Sequence, residues 1–523
     1  MSVLMPVLVL GTGCTSLPPQ PMRAHSQALP AKDSSALAHL ATMSLAGSGL
    51  PSGLTLLPVA SAALRTRIAL IERAEQSIDL QTFIFDGDGT GRLLAARLIQ
   101  AAARGVRVRL LVDDLHTSGQ DSFLADLNAH PGIEVRLFNP FMGVRNSMAA
   151  RLLSAVGDID RVNRRMHNKL FLADGALAIV GSRNVADAYF MAGAQYNFID
   201  LDLLLSGAVV PELASVFDGY WNSRQSWPLA SIAAPEAEAA VLQARAAAWM
   251  AQVRQPPPDD TVPARLKRYV QTESEIAAGR LNMLPVKLVA RADPVSKTDN
   301  MPRPPASTAT ATLSGSWDLV EEVIANARER VWILSPYLVP GADGLQTLSA
   351  LTARGVQVSL LTNSLAATDE PLVHVGYSRY RKRLLLAGAA LYELSPTLSR
   401  QRGRLGRFGR TAGALHAKVA VVDGRRMLVG SVNFDPRSRH LNTELVLLID
   451  SAALVAEFDA LVDFVSSSWR VELHPQSGRL RWRNEPVDGD STTAQELEDE
   501  PEGSWWRRLQ LLLLGPLVPE AWL

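Results

Sequence analysis

Two histidine–lysine pairs with identical spacing recur along this chain of 523 residues. The pattern is H-x-K-x4-D, with His167, Lys169 and Asp174 in the first copy and His416, Lys418 and Asp423 in the second. In each copy a Gly-Ser-x-Asn sequence begins 14 residues after the histidine. A pattern that recurs together with its downstream residues indicates one composite functional site built from two related halves.

Histidine and lysine in this pattern are suited to transfer of a phosphodiester. An imidazole titrates near neutrality and serves either as a nucleophile or as an acid. One neutral histidine attacks phosphorus while the other, protonated, releases the leaving alcohol, and a covalent phosphohistidine divides the transfer into two easier steps. The two lysines supply positive charge to the non-bridging oxygens. The sequence therefore predicts no metal and no other cofactor.

Each motif falls on a predicted β-hairpin. Residues two apart on a strand share one face, so the histidine and the lysine of each motif project together. Asp174-Gly175 and Asp423-Gly424 are favoured turn sequences. The two motif aspartates therefore lie away from the reactive face, and we interpret them as structural members of the motif.

Further polar residues are expected to support the site. Neutral hydrogen-bond donors follow the returning strands: Ser182, Asn184, Ser431 and Asn433. Glu444 is a candidate to orient one of the histidines. An alignment of residues 203–205 with 445–447 makes Asp202 its counterpart, with Asp200 as the competing choice.

A long internal repeat predicts the fold. Residues 103–111 parallel residues 353–361 at an offset of 250, close to the spacing of the two histidines. Alternating strands and helices predict an α/β fold with mainly parallel sheets, namely two duplicated α/β/α domains related by a pseudo-twofold axis, with the site at their interface. The expected elements are helices 62–75 and 91–104 with strands 77–85 and 106–113, then helices 317–328 and 344–354 with strands 331–338 and 356–362.

Composition shifts divide the chain further. The predicted segments are a lipoprotein signal (1–14), a flexible tether (15–53), domain 1 (54–228), a helical and Pro-rich connector (229–312), domain 2 (313–474), a polar acidic segment (475–504) and a membrane-interface segment (505–523). Cys14 is the only cysteine and follows a short apolar run, as in bacterial lipoproteins. This places the protein in a bacterial cell envelope, facing the periplasm and attached to the membrane.

Charge bears on the class of partner. Lys+Arg and Asp+Glu both number 52, and a dedicated nucleic-acid binder usually carries a basic excess. Five arginines between residues 400 and 410 form a local basic stretch that suits either anionic lipid headgroups or nucleic-acid phosphates. Tryptophans, arginines and leucines in 505–523 are typical of an interfacial membrane segment.

On these residues the chain resembles the phospholipase D superfamily and, within it, the bacterial cardiolipin synthase C type. The stretches that carry the resemblance are residues 163–169 (NRRMHNK), 335–340 (SPYLVP), 361–369 (LTNSLAATD), 433–438 (NFDPRS) and 441–444 (LNTE). The resemblance implies phosphatidyl transfer to a headgroup hydroxyl of a second phospholipid such as phosphatidylglycerol. It also implies that His167 is the nucleophile and His416 the general acid and later base.

Other functions stay open at this stage. Transfer to water gives a hydrolytic phospholipase D, and the same chemistry on nucleic acid gives a nuclease. A non-catalytic lipid-binding protein on the same scaffold is the remaining alternative. The expected partners are a membrane surface and phospholipids (phosphatidylglycerol, with phosphatidylethanolamine as a second candidate), without nucleic acid. A monomer is sufficient for a complete site because both motifs lie in one chain.

Overall fold

A computed structural model gives the architecture of the chain. It describes residues 20–141, 143, 145–235, 238–252, 264–298, 315–398, 412–461, 467–484, 495–503, 508–509, 513 and 519–520. Cys14, the basic stretch 400–410 and most of the segment 505–523 lie outside these residues.

The described residues of the first half form nine strands and seven α-helices. The strands are β1 (Ser52–Leu57), β2 (Ser77–Thr82), β3 (Arg107–Asp113), β4 (Ile133–Phe138), β5 (Leu170–Ala173), β6 (Leu177–Gly181), β7 (Tyr196–Ile199), β8 (Asp202–Gly207) and β9 (Ser226–Pro228). The helices are α1 (Ala36–Leu45), α2 (Ala60–Arg73), α3 (Gly89–Ala103), α4 (Asp121–Asn128), α5 (Met148–Ser154), α6 (Ile159–Val162) and α7 (Val209–Trp221).

The connector and the second half contain the remaining helices and strands. The connector contains α8 (Ala239–Gln252), α9 (Thr272–Ala277) and β10 (Leu284–Ala292). The later strands are β11 (Arg330–Leu334), β12 (Gln357–Asn363), β13 (Ala390–Leu394), β14 (Ala412–Leu415), β15 (Val419–Val422), β16 (Arg426–Gly430), β17 (Leu445–Asp450), β18 (Ser468–Leu473), β19 (Leu480–Asn484) and β20 (Gln495–Leu497). The later helices are α10 (Ser316–Ala325), α11 (Gly341–Ala353), α12 (Pro371–Ser378), α13 (Arg381–Leu386), α14 (Pro436–His440) and α15 (Ala452–Leu461).

Eighteen of these strands form one continuous sheet across both halves. Its order is β9-β4-β3-β2-β5-β6-β8-β1 in the first half, then β10-β17-β16-β15-β11-β12-β13-β18 followed by β19 and β20. The order of the second half mirrors that of the first about the β1–β10 pair, as the predicted internal repeat requires. Strands β7 and β14, one from each half, pair separately in a small parallel sheet.

The eight predicted helices and strands are all present, with their ends shifted by at most four residues. The prediction of mainly parallel sheets is wrong. Parallel pairing is confined to β2–β3–β4 and β11–β12–β13, and the other pairings of the large sheet are antiparallel. The motif hairpins and the strands that follow them reverse direction, because a two-residue turn joins only antiparallel neighbours.

The tether predicted for residues 15–53 is wrong for much of its described part. Helix α1 is capped by Ser35 and buries Leu37 and Leu40 in the core of the first half. Strand β1 begins at Ser52 and joins both halves through β8 and β10. The Ala/Ser-rich composition favoured a tether, but Leu37 and Leu40 are three residues apart and therefore lie on one face of helix α1.

The polar acidic segment 475–504 forms regular structure in its described part. Strands β19 and β20 extend the sheet beyond β18. Glu500 bonds to the Nε2 of His374 at 2.6 Å and pairs with Arg381. Both partners lie in the second half, far from Glu500 in sequence. Ion pairing by Glu500 therefore attaches this part of the acidic segment to the second half. Among the described residues, no helix combines the length and the apolar character needed to cross a bilayer.

Candidate active site

Two backbone crossings bring the halves together at the motif histidines. Met166 forms an isolated parallel bridge with Thr443, and the residues that follow these two in sequence are His167 and Glu444, respectively. Strands β7 and β14 pair in the register Ile199–Leu415, and the next residues there are Asp200 and His416. Each crossing therefore sets a histidine of one half opposite a carboxylate of the other half.

His167 is held by Glu444. Its Nδ1 lies 2.9–3.0 Å from the two carboxylate oxygens of Glu444 and 3.1 Å from the carbonyl oxygen of Ser431. Glu444 accepts further hydrogen bonds from the hydroxyls of Ser431 and Ser438. Its backbone N–H donates to Asp293 of the connector at 3.0 Å. These contacts fix the carboxylate, which in turn fixes the plane of the imidazole.

His416 is held by Asp200 in the equivalent way, with Nδ1 2.7 Å from the carboxylate. The alignment that made Asp202 the counterpart of Glu444 is wrong. Asp202 instead pairs with Arg67 at 2.8 Å and with Arg183 at 3.3 Å. The strand register gives the reason: Gly181 pairs with Asp202 whereas Gly430 pairs with Val446, so Asp202 corresponds to Val446.

The second ring nitrogen of each histidine, Nε2, is not held by the carboxylate and can react. With Nδ1 donating to a carboxylate, Nε2 carries the lone pair of a neutral imidazole. Within the described part of the chain, neither Nε2 has a hydrogen-bond partner. Both rings pack against aromatic side chains, with Phe83 5.0 Å from His167 and Tyr189 5.1 Å from His416 between ring centres. The chain thus presents two oriented, partly shielded imidazoles to one site.

The two lysines are buried beside their histidines. Lys169 Nζ donates to the carbonyl of His167 at 2.7 Å, and Lys418 Nζ donates to the carbonyl of His416 at 2.6 Å. Both side chains are almost fully buried. A single carbonyl does not neutralise an ammonium group, so each lysine keeps donors and charge for an anion.

Burial and the concentration of cations perturb every titratable group of the site. Burial, reinforced by Lys169 and Lys418, holds the pKa of His167 well below its ordinary value. The pKa of His416 falls to about 4 through burial and Lys418, against the opposing effect of Asp200. Burial likewise lowers the pKa of Lys418 to about 8. Because each lysine affects the histidine of the other half, the four groups form one site.

The two carboxylates differ in their protonation. Burial raises the pKa of Glu444 to about 7. The pKa of Asp200 falls to about 2 because the charge of His416 and its hydrogen bond outweigh the effect of burial. Asp200 therefore stabilises a protonated His416, whereas His167 faces a weaker anion. Both imidazoles are neutral near pH 7, and this difference makes His416 the easier of the two to protonate.

The Gly-Ser-x-Asn sequences shape the site. A Cβ on Gly181 would lie 2.2 Å from Asp202 Oδ1, and one on Gly430 would lie 2.1 Å from the carbonyl oxygen of Leu445, so both positions require glycine. Ser431 binds Glu444, while among the described residues the hydroxyl of Ser182 bonds to the backbone of Leu201. The hydroxyl of Ser182 thus bonds within its own half, and its place beside a phosphate stays a prediction.

The asparagines are placed less symmetrically. Asn184 accepts a hydrogen bond from the N–H of Ile84 at 3.3 Å. The Oδ1 of Asn433 is buried without a partner among the described residues, and an unpaired buried amide group of this kind is available to a ligand. Asn168, the variable residue of the first H-x-K, instead contacts Thr443 and Tyr220 on the face opposite His167 and Lys169.

The motif aspartates act as backbone caps, as expected from their turns. Asp174 accepts hydrogen bonds from the N–H groups of Glu75, Gln76 and Ser77 at 2.8–3.2 Å. Asp423 does the same for residues 328–330 at 2.8–3.2 Å. Both occupy the left-handed region, with φ of 52° and 54°. They fix the hairpin tips, at the opposite end of each strand from the histidine.

Comparisons with known proteins agree with this arrangement. The family model described as "Cardiolipin synthase, PLD-like domain" matches residues 68–221 and 320–464. The chain belongs to this family. It is an enzyme, a phosphatidyltransferase of the phospholipase D superfamily.

Individual relatives span nearly the whole chain. Cardiolipin synthase C of Escherichia coli (strain K12) is 37% identical over 88% of this chain and 94% of its own length. Cardiolipin synthase A of Erwinia tasmaniensis is 26% identical over 82% and 72%, respectively. The crystal structure of phosphatidylserine synthase from Haemophilus influenzae Rd KW20 aligns with a TM-score of 0.54 at 12% identity, covering 90% of this chain and 95% of that one. That structural likeness concerns the fold.

Proposed function

We propose that this chain makes cardiolipin by transferring a phosphatidyl group from one phospholipid to the headgroup hydroxyl of phosphatidylglycerol. The observation that carries the proposal is the reciprocal pairing of His167 with Glu444 and of His416 with Asp200. Two oriented imidazoles beside two buried lysines provide what a two-step transfer requires. Similarity to cardiolipin synthases C and A favours the lipid substrate.

The proposed steps follow from the environments of the two histidines. Nε2 of His167 attacks phosphorus, and the bond to the leaving headgroup alcohol breaks as His416 donates its proton to that oxygen. The phosphatidyl group is then carried on His167. His416, now neutral, takes the proton of the incoming hydroxyl, whose oxygen attacks phosphorus and releases His167. Lys169 and Lys418 stabilise the charge on the non-bridging oxygens in both steps.

The direct test uses labelled phosphatidylglycerol and phosphatidylethanolamine in mixed micelles, with His167→Ala and His416→Ala as controls. Labelled cardiolipin formed by the wild type alone supports the transfer. Phosphatidic acid as the sole product would make the enzyme a hydrolytic phospholipase D. Cleavage of DNA or RNA without any lipid product would contradict the lipid assignment.

We also propose that the protein is a lipoprotein of the bacterial cell envelope, facing the periplasm and anchored through Cys14. The support is the apolar run of residues 3–10 followed by a small-residue sequence and a single cysteine. Labelling of the wild type by radioactive palmitate, and its loss in Cys14→Ser, is the expected result. Equal labelling of the variant would refute the anchor.

A further inference from the structure

The chain between β4 and His167 exposes apolar side chains beside the active site. Leu152 and Leu153 of α5 are 47% and 75% exposed, and Ile159 of α6 is 45% exposed. Three large exposed hydrophobic residues thus fall within eight positions. Scattered single exposed leucines are ordinary, whereas a cluster of this kind marks an interaction surface.

The opposite side of this segment is fixed by buried arginines. Arg151, adjacent to Leu152, is fully buried and donates to the carbonyl of Asp114 at 2.6 Å. Arg145 binds the carboxylates of Asp114 and Asp121 at 2.7–2.8 Å. Asp114 follows directly after β3. The helical pair is therefore a rigid platform at the carboxyl-terminal edge of the parallel strands, the edge on which His167 lies.

The same platform also contacts the second half. Arg437 donates to the side chain and the carbonyl of Asn163 at 2.7 and 2.9 Å, directly after α6. Ser438, the residue after Arg437, donates to the carboxylate of Glu444 that holds His167, at 2.7 Å. The platform thus joins both halves beside the reacting groups.

We infer that Leu152, Leu153 and Ile159 insert into the surface of a phospholipid bilayer and hold the active site against it. The inference rests on the proposed lipid substrate, because buried histidines reach a bilayer phosphodiester only if their edge of the protein lies on the membrane. Arg145, Arg151, Arg161 and Arg165 of this stretch pair with aspartates, so the charge at this edge comes from Lys169 and Lys418, which attract the phosphodiester of a lipid headgroup. Leucines that enter the apolar layer beneath the headgroups add hydrophobic binding to this attraction.

The test compares leucine substitutions at two separate places on the surface. All variants are made in the full-length chain carrying Cys14→Ser, so that no acyl anchor is present. Leu152→Ser/Leu153→Ser removes the cluster. Leu386→Ser is the matched control, because Leu386 is 69% exposed and lies near the amino-terminal end of β13, at the opposite edge of the sheet. Binding is measured by flotation with vesicles of equal parts phosphatidylglycerol and phosphatidylethanolamine.

We expect the double variant to bind vesicles at least about tenfold more weakly than its parent, since burial of one leucine is worth about this factor or more. Leu386→Ser should bind as its parent does. For catalysis, the ratio of kcat/KM on vesicles to kcat/KM on monomeric short-chain phosphatidylglycerol should fall by a similar factor.

Three results would overturn the inference: a parent that does not bind vesicles, a double variant that binds as its parent does, or equal weakening by Leu386→Ser. Self-association that is lost in the double variant, without vesicle binding, would instead assign the surface to a second copy of the chain. If vesicle binding falls as expected but the parent makes no cardiolipin, the surface stands and the proposed reaction fails.

Discussion

Glu444 of the second half lies 2.9 Å from Nδ1 of His167 in the first half. The reverse relation, Asp200 to His416 at 2.7 Å, completes the exchange. Neither half has an oriented histidine without the other, because each carboxylate reaches its partner across the interface.

Replacement of His416 by alanine should trap the reaction half-way. With a phosphatidyl donor whose leaving group is p-nitrophenol, no acid is needed for the first step, so His167 should still become modified. The second step lacks its base and should slow by about 10²- to 10⁴-fold. Intact-mass spectrometry should show one added phosphatidyl group that is labile to acid. The same adduct on His167→Ala would contradict the assignment of the nucleophile.

Glu444→Gln and Asp200→Asn should each reduce kcat by about 10³-fold or more while leaving the fold intact, because an amide no longer stabilises the correct imidazole tautomer and charge. Asp202→Asn is the informative contrast. Its buried partners are Arg67 and Arg183, so it should lower the free energy of unfolding by about 3 kcal/mol and largely spare kcat. An Asp202→Asn enzyme with normal stability and a severe kcat defect would argue against the Asp200 assignment.

Gly430→Ala should destabilise the protein by about 1–3 kcal/mol, because its Cβ would clash with the carbonyl of Leu445, a backbone atom that cannot turn aside. Gly219→Ala serves as the control. Gly219 lies in α7 with nothing within 4 Å of the added Cβ, so this change should be neutral or stabilising by up to about 1 kcal/mol. Urea unfolding of both variants measures the difference, and equal stability of the two would rule out the clash.

Asp174→Ala should reduce stability and spare the chemical step, despite the place of Asp174 in the motif. Loss of its hydrogen bonds to three N–H groups, in a buried turn at positive φ, should cost about 3 kcal/mol. Asp174→Asn keeps one acceptor oxygen and tolerates the left-handed backbone, so its loss should be smaller. Thermal unfolding and kcat at a permissive temperature separate the two effects, and a folded Asp174→Ala enzyme without activity would give this residue a catalytic role.

Binding of a phosphodiester should take up protons between pH 7 and 9. The pKa of Lys418 is lowered to about 8 by burial, and that of Lys169 is lowered well below its ordinary value by burial and by Lys418. A bound anion favours the charged form and raises both values, so protons are absorbed. Calorimetry with dimethyl phosphate in buffers of different ionisation enthalpy measures the number, and Lys418→Met should decrease it. Net proton release would contradict this account.

Local patterns in the sequence were sufficient for the hairpins, the facing His and Lys residues and the duplicated strands and helices. They were insufficient for the partner of His416. Residues on a strand alternate with a period of two, so a shift by two residues exchanges Asp200 for Asp202 without any change in the buried pattern. Only the pairing of β6 with β8 and of β16 with β17 distinguishes them.

Contacts between residues that lie far apart in the chain could not be predicted from local sequence patterns either. Asp293 lies in the connector, yet it binds the N–H of Glu444 and the side chains of Lys297 and Ser316. No local spacing relates Asp293 to the motifs, because its role arises from the fold. Strand β10 was missed for the same reason: its strongest signal is its pairing with β1 and β17.

The mirrored sheet, joined through β1 and β10, has a consequence for how the two histidines specialise. Two identical chains that assembled into such a site would present two equivalent imidazoles. Each imidazole would then have to serve both as nucleophile and as acid. Fusion in a single polypeptide removes that equivalence, so an aspartate on one side and a glutamate on the other give the histidines different basicities. The covalent connection of the halves therefore permits the proposed assignment of different steps to His167 and His416.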